Sequence, residues 1–315
     1  MSKRADGSSS AGRIEIRADE YWAKKGPIDL YLYRKRPEGA KLPPPLFLVH
    51  GSSFSGRTGY DLQVPGRSGY SMMDVFAGYG FDVWTMDHEG YGRSGSGDGN
   101  SDIASGVEDL TAAFEVVARE TGSSACAFYG QSSGAIRAAA FAAAHPSRVA
   151  RLALAAFVWT GAGSPTLAKR KERLDEWRRS NTRTVDKAFF HGMFTRDGSG
   201  YHDPAVPEAI AAAELPFGGT VPTGTYLDMC ANLPLVDPLQ IHCPVLMIRG
   251  EFDGIAGEDD LLAFFSALAN KDKQFVFLPG QAHATHLGLN RGRFFHLLHG
   301  FLTMPARADI DDASR

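Results

Sequence analysis

Short apolar runs alternate along this chain with longer stretches in which apolar positions recur every three or four residues, the pattern of strands crossed by helices. Eight runs read as strands, at residues 13–17, 29–34, 46–49, 81–86, 125–129, 149–156, 245–249 and 274–278. The last six are nearly continuous in Val, Leu, Ile and Phe, as parallel strands buried on both faces require. The first two alternate more and lie close together, which predicts an antiparallel entry hairpin. Helices are expected where Ile103, Val107, Leu110, Phe114 and Val117 share one face behind a Ser101 cap, and over the Ala-rich 133–145 that stops before Pro146. Residues 259–269 and 291–302 supply two more.

The rhythm breaks between residues 160 and 240, where short helix-like pieces follow one another without a strand. This stretch reads as a helical cap inserted between two parts of one α/β core, 13–159 and 241–304. Its first piece, 167–179, is heavily charged and reads as a solvated face; Phe189, Phe190, Met193, Phe194, Tyr226, Leu227 and Met229 read as the cap's own small core. The polar ends, 1–12 and 305–315, are expected to be disordered and flexible tails.

Composition narrows the partners. With 43% hydrophobic and 22% charged residues among 315, the chain buries a substantial core, which excludes disorder for its bulk. Thirty-three basic against 36 acidic residues leave a net charge of −3, so no cationic field is available to capture nucleic acid. The amino terminus lacks the apolar stretch of a secretory signal, and no apolar run approaches the roughly 20 residues of a membrane span. Cys126, Cys230 and Cys243 are scattered and form no Cys-x-x-Cys pair, which predicts free thiols. A cytoplasmic protein with a small-molecule substrate is expected, without a nucleic-acid or membrane partner; a homodimer is left open.

Chemistry enters at the end of the fifth run. Gly130-Gln131-Ser132-Ser133-Gly134 stands between a buried strand and an Ala-rich helix, the context in which a serine is lifted on a strained turn and flanking glycines remove side chains that would collide. A serine hydroxyl needs a base that is itself oriented by a third group. Asp253 follows the seventh run and His283 the eighth, at the sheet edge where Ser132 stands. Glu251 and His286 fit the strand ends less well, and His296 and His299 lie in the terminal helix as packing or surface residues. The Ser133 amide faces an oxyanion beside Ser132, and the second donor is expected from Ser52, with Ser53 as the alternative, after the turn at Gly51. His50 is read as a residue that holds this loop. Phe54, Trp159, Phe190 and Met193 are expected pocket walls, and Arg57 and Arg67 exposed loop arginines without a particular ligand.

Other signals are declined. Gly90-Tyr91-Gly92-Arg93-Ser94-Gly95 fits a dinucleotide fingerprint, yet Ser96 to Asn100 prolongs the loop where a helix should begin. His283-Ala284-Thr285-His286 lacks the glutamate of a metalloprotease helix. Cys126 lies inside a strand and reads as a small core residue.

Taken together, His50-Gly51, the turn from Asp87 to Ser94, the Ser132 elbow, Asp253 and His283 make residues 13–303 resemble the α/β-hydrolase superfamily. The resemblance implies an eight-stranded, mostly parallel sheet flanked by helices, a cap after the sixth strand, no obligatory cofactor and two-step acyl transfer to water. The chain departs from the pattern in its long loop from Phe54 to Tyr70. The expected activity is a serine hydrolase that cleaves a carboxylic ester of a small or medium-sized, partly apolar substrate through an acyl-enzyme. An amide, carbamate, lactone or a carbon–carbon bond beside a ketone would use the same machinery, and a non-catalytic ligand receptor or signalling partner would keep only the fold. Dehalogenase and epoxide hydrolase chemistry is disfavoured, because such relatives carry a carboxylate where this chain has Ser132.

Overall fold

A computed structural model describes residues 14–39 and 45–307. The expected tail at 1–12 and most of that at 305–315 lie outside the described residues. In chain order the first part carries β1 (Ile16–Lys25), β2 (Ile28–Pro37), β3 (Leu46–Val49), α1 (Gly56–Tyr60), α2 (Met72–Gly78), β4 (Val83–Met86), α3 (Ile103–Thr121), β5 (Cys126–Gln131), α4 (Ser133–Ala144) and β6 (Val149–Ala155). Then come α5 (Pro165–Lys171), α6 (Leu174–Arg179), β7 (Thr182–Thr184), α7 (Lys187–Thr195), α8 (Ala205–Glu214), β8 (Thr220–Pro222) and α9 (Gly224–Ala231). The chain closes with β9 (Val245–Gly250), α10 (Glu258–Ala267), β10 (Lys273–Leu278) and α11 (Arg291–Leu302).

Eight strands form one sheet in the order β1-β2-β4-β3-β5-β6-β9-β10. The β1–β2 and β2–β4 pairings are antiparallel, and every pairing from β4 to β10 is parallel. Side chains alternate across this sheet as a period of two demands. Phe47, Val49 and Phe128 enter one core with Leu110, Phe114, Phe141 and Phe264 of α3, α4 and α10. Leu46, Leu48 and Tyr129 enter the other with Met72, Phe76, Phe294 and Leu298 of α2 and α11. Each such side chain is worth about 1.5–3 kcal/mol of burial, and the two layers hold the strand ends rigid.

The order reverses at β3, whose neighbours are β4 on one side and β5 on the other. Loops leaving the carboxyl ends of two such strands diverge and open a crevice there. Register keeps the rim level: Val49 pairs with Gly130, Gln131 with Ala155, Ala155 with Ile248 and Gly250 with Leu278. The loops after β3, β5, β9 and β10 therefore leave the sheet at one edge.

Several expectations are corrected. The first strand is not 13–17 but the ten-residue β1, paired along its length with β2. As an edge strand it is mostly polar and offers no apolar run to read. Asp102, not Ser101, caps α3 by accepting from the Ser105 amide, because Ser101 is turned to φ 51° and accepts from Arg137 through its carbonyl and hydroxyl. The inserted stretch does contain strands: β7 and β8 form a small antiparallel ladder, too short to show alternation. Among the described residues no helix is long and apolar enough to cross a membrane. The three cysteines are unpaired, and burial pushes the Cys126 thiol up to about 12.

Candidate active site

The turn between β5 and α4 holds Ser132 at φ 58°, ψ −126°, a left-handed conformation that side-chain-bearing residues seldom adopt. Space around it accounts for both flanking glycines. A Cβ at Gly130 would lie 2.4 Å from the Gly134 carbonyl, and one at Gly134 would lie 2.2 Å from that of Val49. The hydroxyl is thus carried on a strained backbone packed against the end of β3.

His283 and Asp253 meet at the same rim. The His283 Nδ1 lies 2.9 Å from Asp253 Oδ1, which also accepts from the amides of Ile255 at 2.8 Å and Ala256 at 3.2 Å. Burial pushes the Asp253 carboxyl up, but His283 and these amides outweigh it and hold the group below its usual value. An anion therefore faces Nδ1, keeps the proton on that nitrogen and leaves Nε2 to act as acceptor. Ser132 and His283 line one small cavity of about 40 Å³. No hydrogen bond joins the two side chains in this conformation; such contacts often tighten only when substrate is bound.

The alternatives are occupied elsewhere. Glu251 is exposed and accepts from the Gly280 amide at 2.8 Å. His286 is buried against Tyr60 and reaches Gln131 Oε1 at 3.1 Å, and burial pushes its imidazole down to about 3. Gln131, which sequence reading passed over, links the two strand ends: its Nε2 donates to the His283 carbonyl at 2.5 Å, and its Oε1 accepts from Tyr129 at 2.8 Å. The residue before Ser132 thereby positions the histidine loop.

On the opposite wall, Gly51 passes so close to Ser132 that a Cβ there would lie 3.4 Å from the serine Cβ. His50 is neutral, held well below its ordinary value by burial and by His88 and Arg137. Its Nε2 accepts from the His88 amide at 3.0 Å, so Nδ1 donates to the Gly51 carbonyl at 2.7 Å. A trans peptide points its N–H opposite to its C=O, so the Ser52 amide faces away from His50. The Ser52 and Ser133 hydroxyls touch at 2.7 Å and tie the two expected oxyanion donors together. At the start of α4 the Ser133 amide has no intrahelical acceptor.

The long loop is pinned at Ser55 and Gly56. Asp87 accepts from the amides of Gly56 and Arg93, at 2.9 and 3.0 Å, and Glu214 of α8 accepts from the Ser55 amide and hydroxyl, at 3.1 and 2.9 Å. The glycine-rich turn that mimicked a dinucleotide motif is this anchor, and α3 begins only at Ile103. Burial pushes Asp87 up to about 6 and, with help from Asp87, Glu214 up to about 7. Because the fold favours the protonated acid, this stability is full below the ordinary value of 4.5 and is lost as pH rises through about 7. Glu214→Gln mimics the protonated form and is expected to flatten the decline, with a gain on the order of 2 kcal/mol at pH 8. Urea unfolding of both proteins from pH 5 to 8 checks this, and parallel curves would contradict it.

Of the expected pocket walls, Met193 lines the small cavity. Phe54 turns onto Gly59 of its own loop, Trp159 donates to the Val236 carbonyl at 3.1 Å and packs on Phe264, and Phe190 is wholly buried in the insertion's core. Arg57 and Arg67 are engaged by Glu20 at 2.6 Å and Asp203 at 2.7 Å. The walls that sequence reading missed are Arg170, Arg196 and Tyr226, which line both the small cavity and an adjoining one of about 660 Å³. One signal was available: Arg170 has no carboxylate four positions away in the chain, with Thr166 before it and Leu174 after it.

A parallel-rich sheet with the serine elbow and a histidine–aspartate pair at its carboxyl rim defines an α/β-hydrolase of the serine class. A family model described as serine aminopeptidase, S33, matches residues 66–290, and the chain belongs to this family of enzymes. No curated protein matches it in sequence. Among solved structures, an esterase from Thermogutta terrifontis is similar at 21% identity, covering 91% of this chain and 98% of that one with a TM-score of 0.63. The 2-hydroxy-6-oxo-6-phenylhexa-2,4-dienoate hydrolase of Rhodococcus sp. strain RHA1 is similar at 16% identity, covering 91% and 100% with a TM-score of 0.65. The carboxylesterase CesB of Bacillus subtilis is similar at 16% identity, covering 92% and 93% with a TM-score of 0.61. At these identities the likeness is one of fold.

Proposed function

We propose that Ser132, His283 and Asp253 form a catalytic triad that hydrolyses a carboxylic ester of a small or medium-sized, partly apolar compound. The observation that carries the reading is the imidazole held by Asp253 at 2.9 Å beside the cavity that it shares with the strained serine. Ser132 Oγ attacks the acyl carbon while Nε2 of His283 takes its proton, and Asp253 stabilises the imidazolium that forms. The Ser52 and Ser133 amides receive the oxyanion. As the tetrahedral intermediate collapses, the imidazolium protonates the departing alcohol. His283 then deprotonates a water molecule that attacks the acyl-enzyme, and a carboxylic acid leaves with Ser132 restored.

An amide is the second reading, favoured by the match to a serine aminopeptidase family. A cytoplasmic location belongs to the same proposal and is supported by three unpaired cysteines, which suit a reducing compartment. The test is labelling by a fluorophosphonate followed by peptide mass spectrometry, beside a panel of 4-nitrophenyl esters and anilides. Label on Ser132 with ester turnover supports the reading. Binding of small ligands without label or turnover would replace it with a receptor.

A further inference from the structure

We propose that the cavity adjoining Ser132 is an anion site and that the compound hydrolysed is an organic acid, an ester carrying a free carboxylate or phosphate held by Arg170 and Arg196. This rests on the hydrolase reading for the position of the bond that breaks. The cavity, about 660 Å³, is lined by five cations, Lys169, Arg170, Arg173, Arg183 and Arg196, against the single carboxylate of Glu176. That carboxylate is already held by Arg173 at 2.6 Å. A volume of this size suits a small molecule. Arg170 and Arg196 also line the small cavity with Ser132 and His283, so a group bound to them lies beside the nucleophile.

The guanidinium groups converge where separation would be expected. Arg170 and Arg183 bracket the Tyr226 ring, each with its guanidinium carbon 4.0 Å from the ring centroid. Like charges gathered in a partly buried site repel, and buried charges without counterions are costly. Arg183, 8% exposed, spends Nη2 on the Ser52 carbonyl at 2.7 Å and leaves Nε without a partner. Arg196 has buried Nε and Nη2 atoms without hydrogen bonds, and its nearest carboxylate oxygen, Asp197 Oδ1, is 3.4 Å from Nε. Among the described residues Arg170 has no carboxylate within 4.0 Å. Solvated surface arginines do not arrange themselves this way; five cations around one cavity whose single carboxylate is already engaged match a ligand's oxygens.

Ionisation in the cluster reports the same field. Burial pushes the Tyr226 hydroxyl up, yet Arg170, Arg183 and Arg196 outweigh it and draw the group down to about 8. Arg170 is lowered by burial and by the charges of Arg196 and Arg183, with Tyr226 opposing. An added anion relieves the repulsion among the arginines, and a planar carboxylate or a phosphate accepts from two guanidinium groups at once.

The test follows hydrolysis of the neutral ester 4-nitrophenyl butyrate with glutarate or glycerol phosphate added at constant ionic strength. At least one anion is expected to raise KM and leave kcat unchanged; which one competes tells carboxylate from phosphate. In Arg170→Gln and in Arg196→Gln the inhibition constant is expected to rise about tenfold or more, the loss of one charge-assisted contact. Arg119→Gln, on the exposed end of α3, leaves it unchanged. In the unmodified protein the competition weakens as salt rises, a readout that needs no variant. Neither anion competing, or equal inhibition of wild type and both site variants, would overturn the proposal. Calorimetry of glutarate and glycerol phosphate on Ser132→Ala separates the two readings: binding kept while the wild type turns over no ester defeats the hydrolase alone. Ester turnover without anion binding defeats the anion site alone.

Discussion

Ser132→Ala is expected to lower kcat/KM for a neutral ester by about 10⁵-fold or more. No neighbouring hydroxyl stands ready to replace it. Ser133 Oγ is tied to Ser52 Oγ at 2.7 Å, and Arg183 Nη2 reaches Ser53 Oγ at 3.4 Å. The loss is chemical rather than structural: alanine meets the same left-handed backbone at φ 58° that serine does, and no hydrogen bond of Ser132 Oγ to His283 is forfeited. The thermal midpoint should therefore stay close to that of the wild type. Residual turnover would come from the Ser52 and Ser133 amides and from binding alone. Steady-state kinetics beside a melting curve decide the matter, and a variant within tenfold of wild type with an intact fold would remove Ser132 from the mechanism.

Asp253→Ala is expected to cost about 10⁴-fold, since it removes both the group that orients the imidazole and the charge that stabilises its protonated form. Asp253→Asn separates those two roles. Oδ1 accepts from His283 and from the amides of Ile255 and Ala256, whereas the buried Oδ2 has no partner. A carboxamide keeps its oxygen toward those donors and places its NH₂ where Oδ2 was, because the reverse orientation would set donor against donor. The tautomer of His283 survives while the negative charge goes. The asparagine variant is thus expected to be roughly ten times more active than the alanine variant. Equal activities of the two variants would mean that charge alone accounts for the contribution of Asp253.

Much of this architecture was legible because its causes are local. The runs at 46–49 and 149–156 and the strands Leu46–Val49 and Val149–Ala155 coincide almost residue for residue. A strand buried on both faces must be apolar throughout. β1 escaped because an edge strand has no such obligation. The elbow was readable from Gly130 and Gly134, whose side chains would strike backbone atoms of the same motif and of β3. Asp253 and His283 were readable as strand-end residues, since parallel strands send their following loops to one rim.

The cavity beside Ser132 was not legible, for the opposite reason. Phe190 and Met193 lie three residues apart on α7, yet one is wholly buried in the insertion's core and the other lines the cavity beside Ser132. Helix rotation and packing made that choice. The charged piece 167–179 read as a solvated face, and part of it is: Arg173 pairs with the exposed Glu176. Arg170 in the same piece instead turns onto Tyr226, 56 positions later in the chain, because a long flexible side chain follows the partner that tertiary structure supplies. Sequence by itself determined the buried strands, the serine turn and the strand-end positions of Asp253 and His283, all set by backbone sterics and burial over a few residues. Tertiary structure alone decided the strand order, the hold of Gln131 on the histidine loop and the gathering of Arg170 and Arg196 beside Ser132. These depend on contacts between segments that no local pattern encodes.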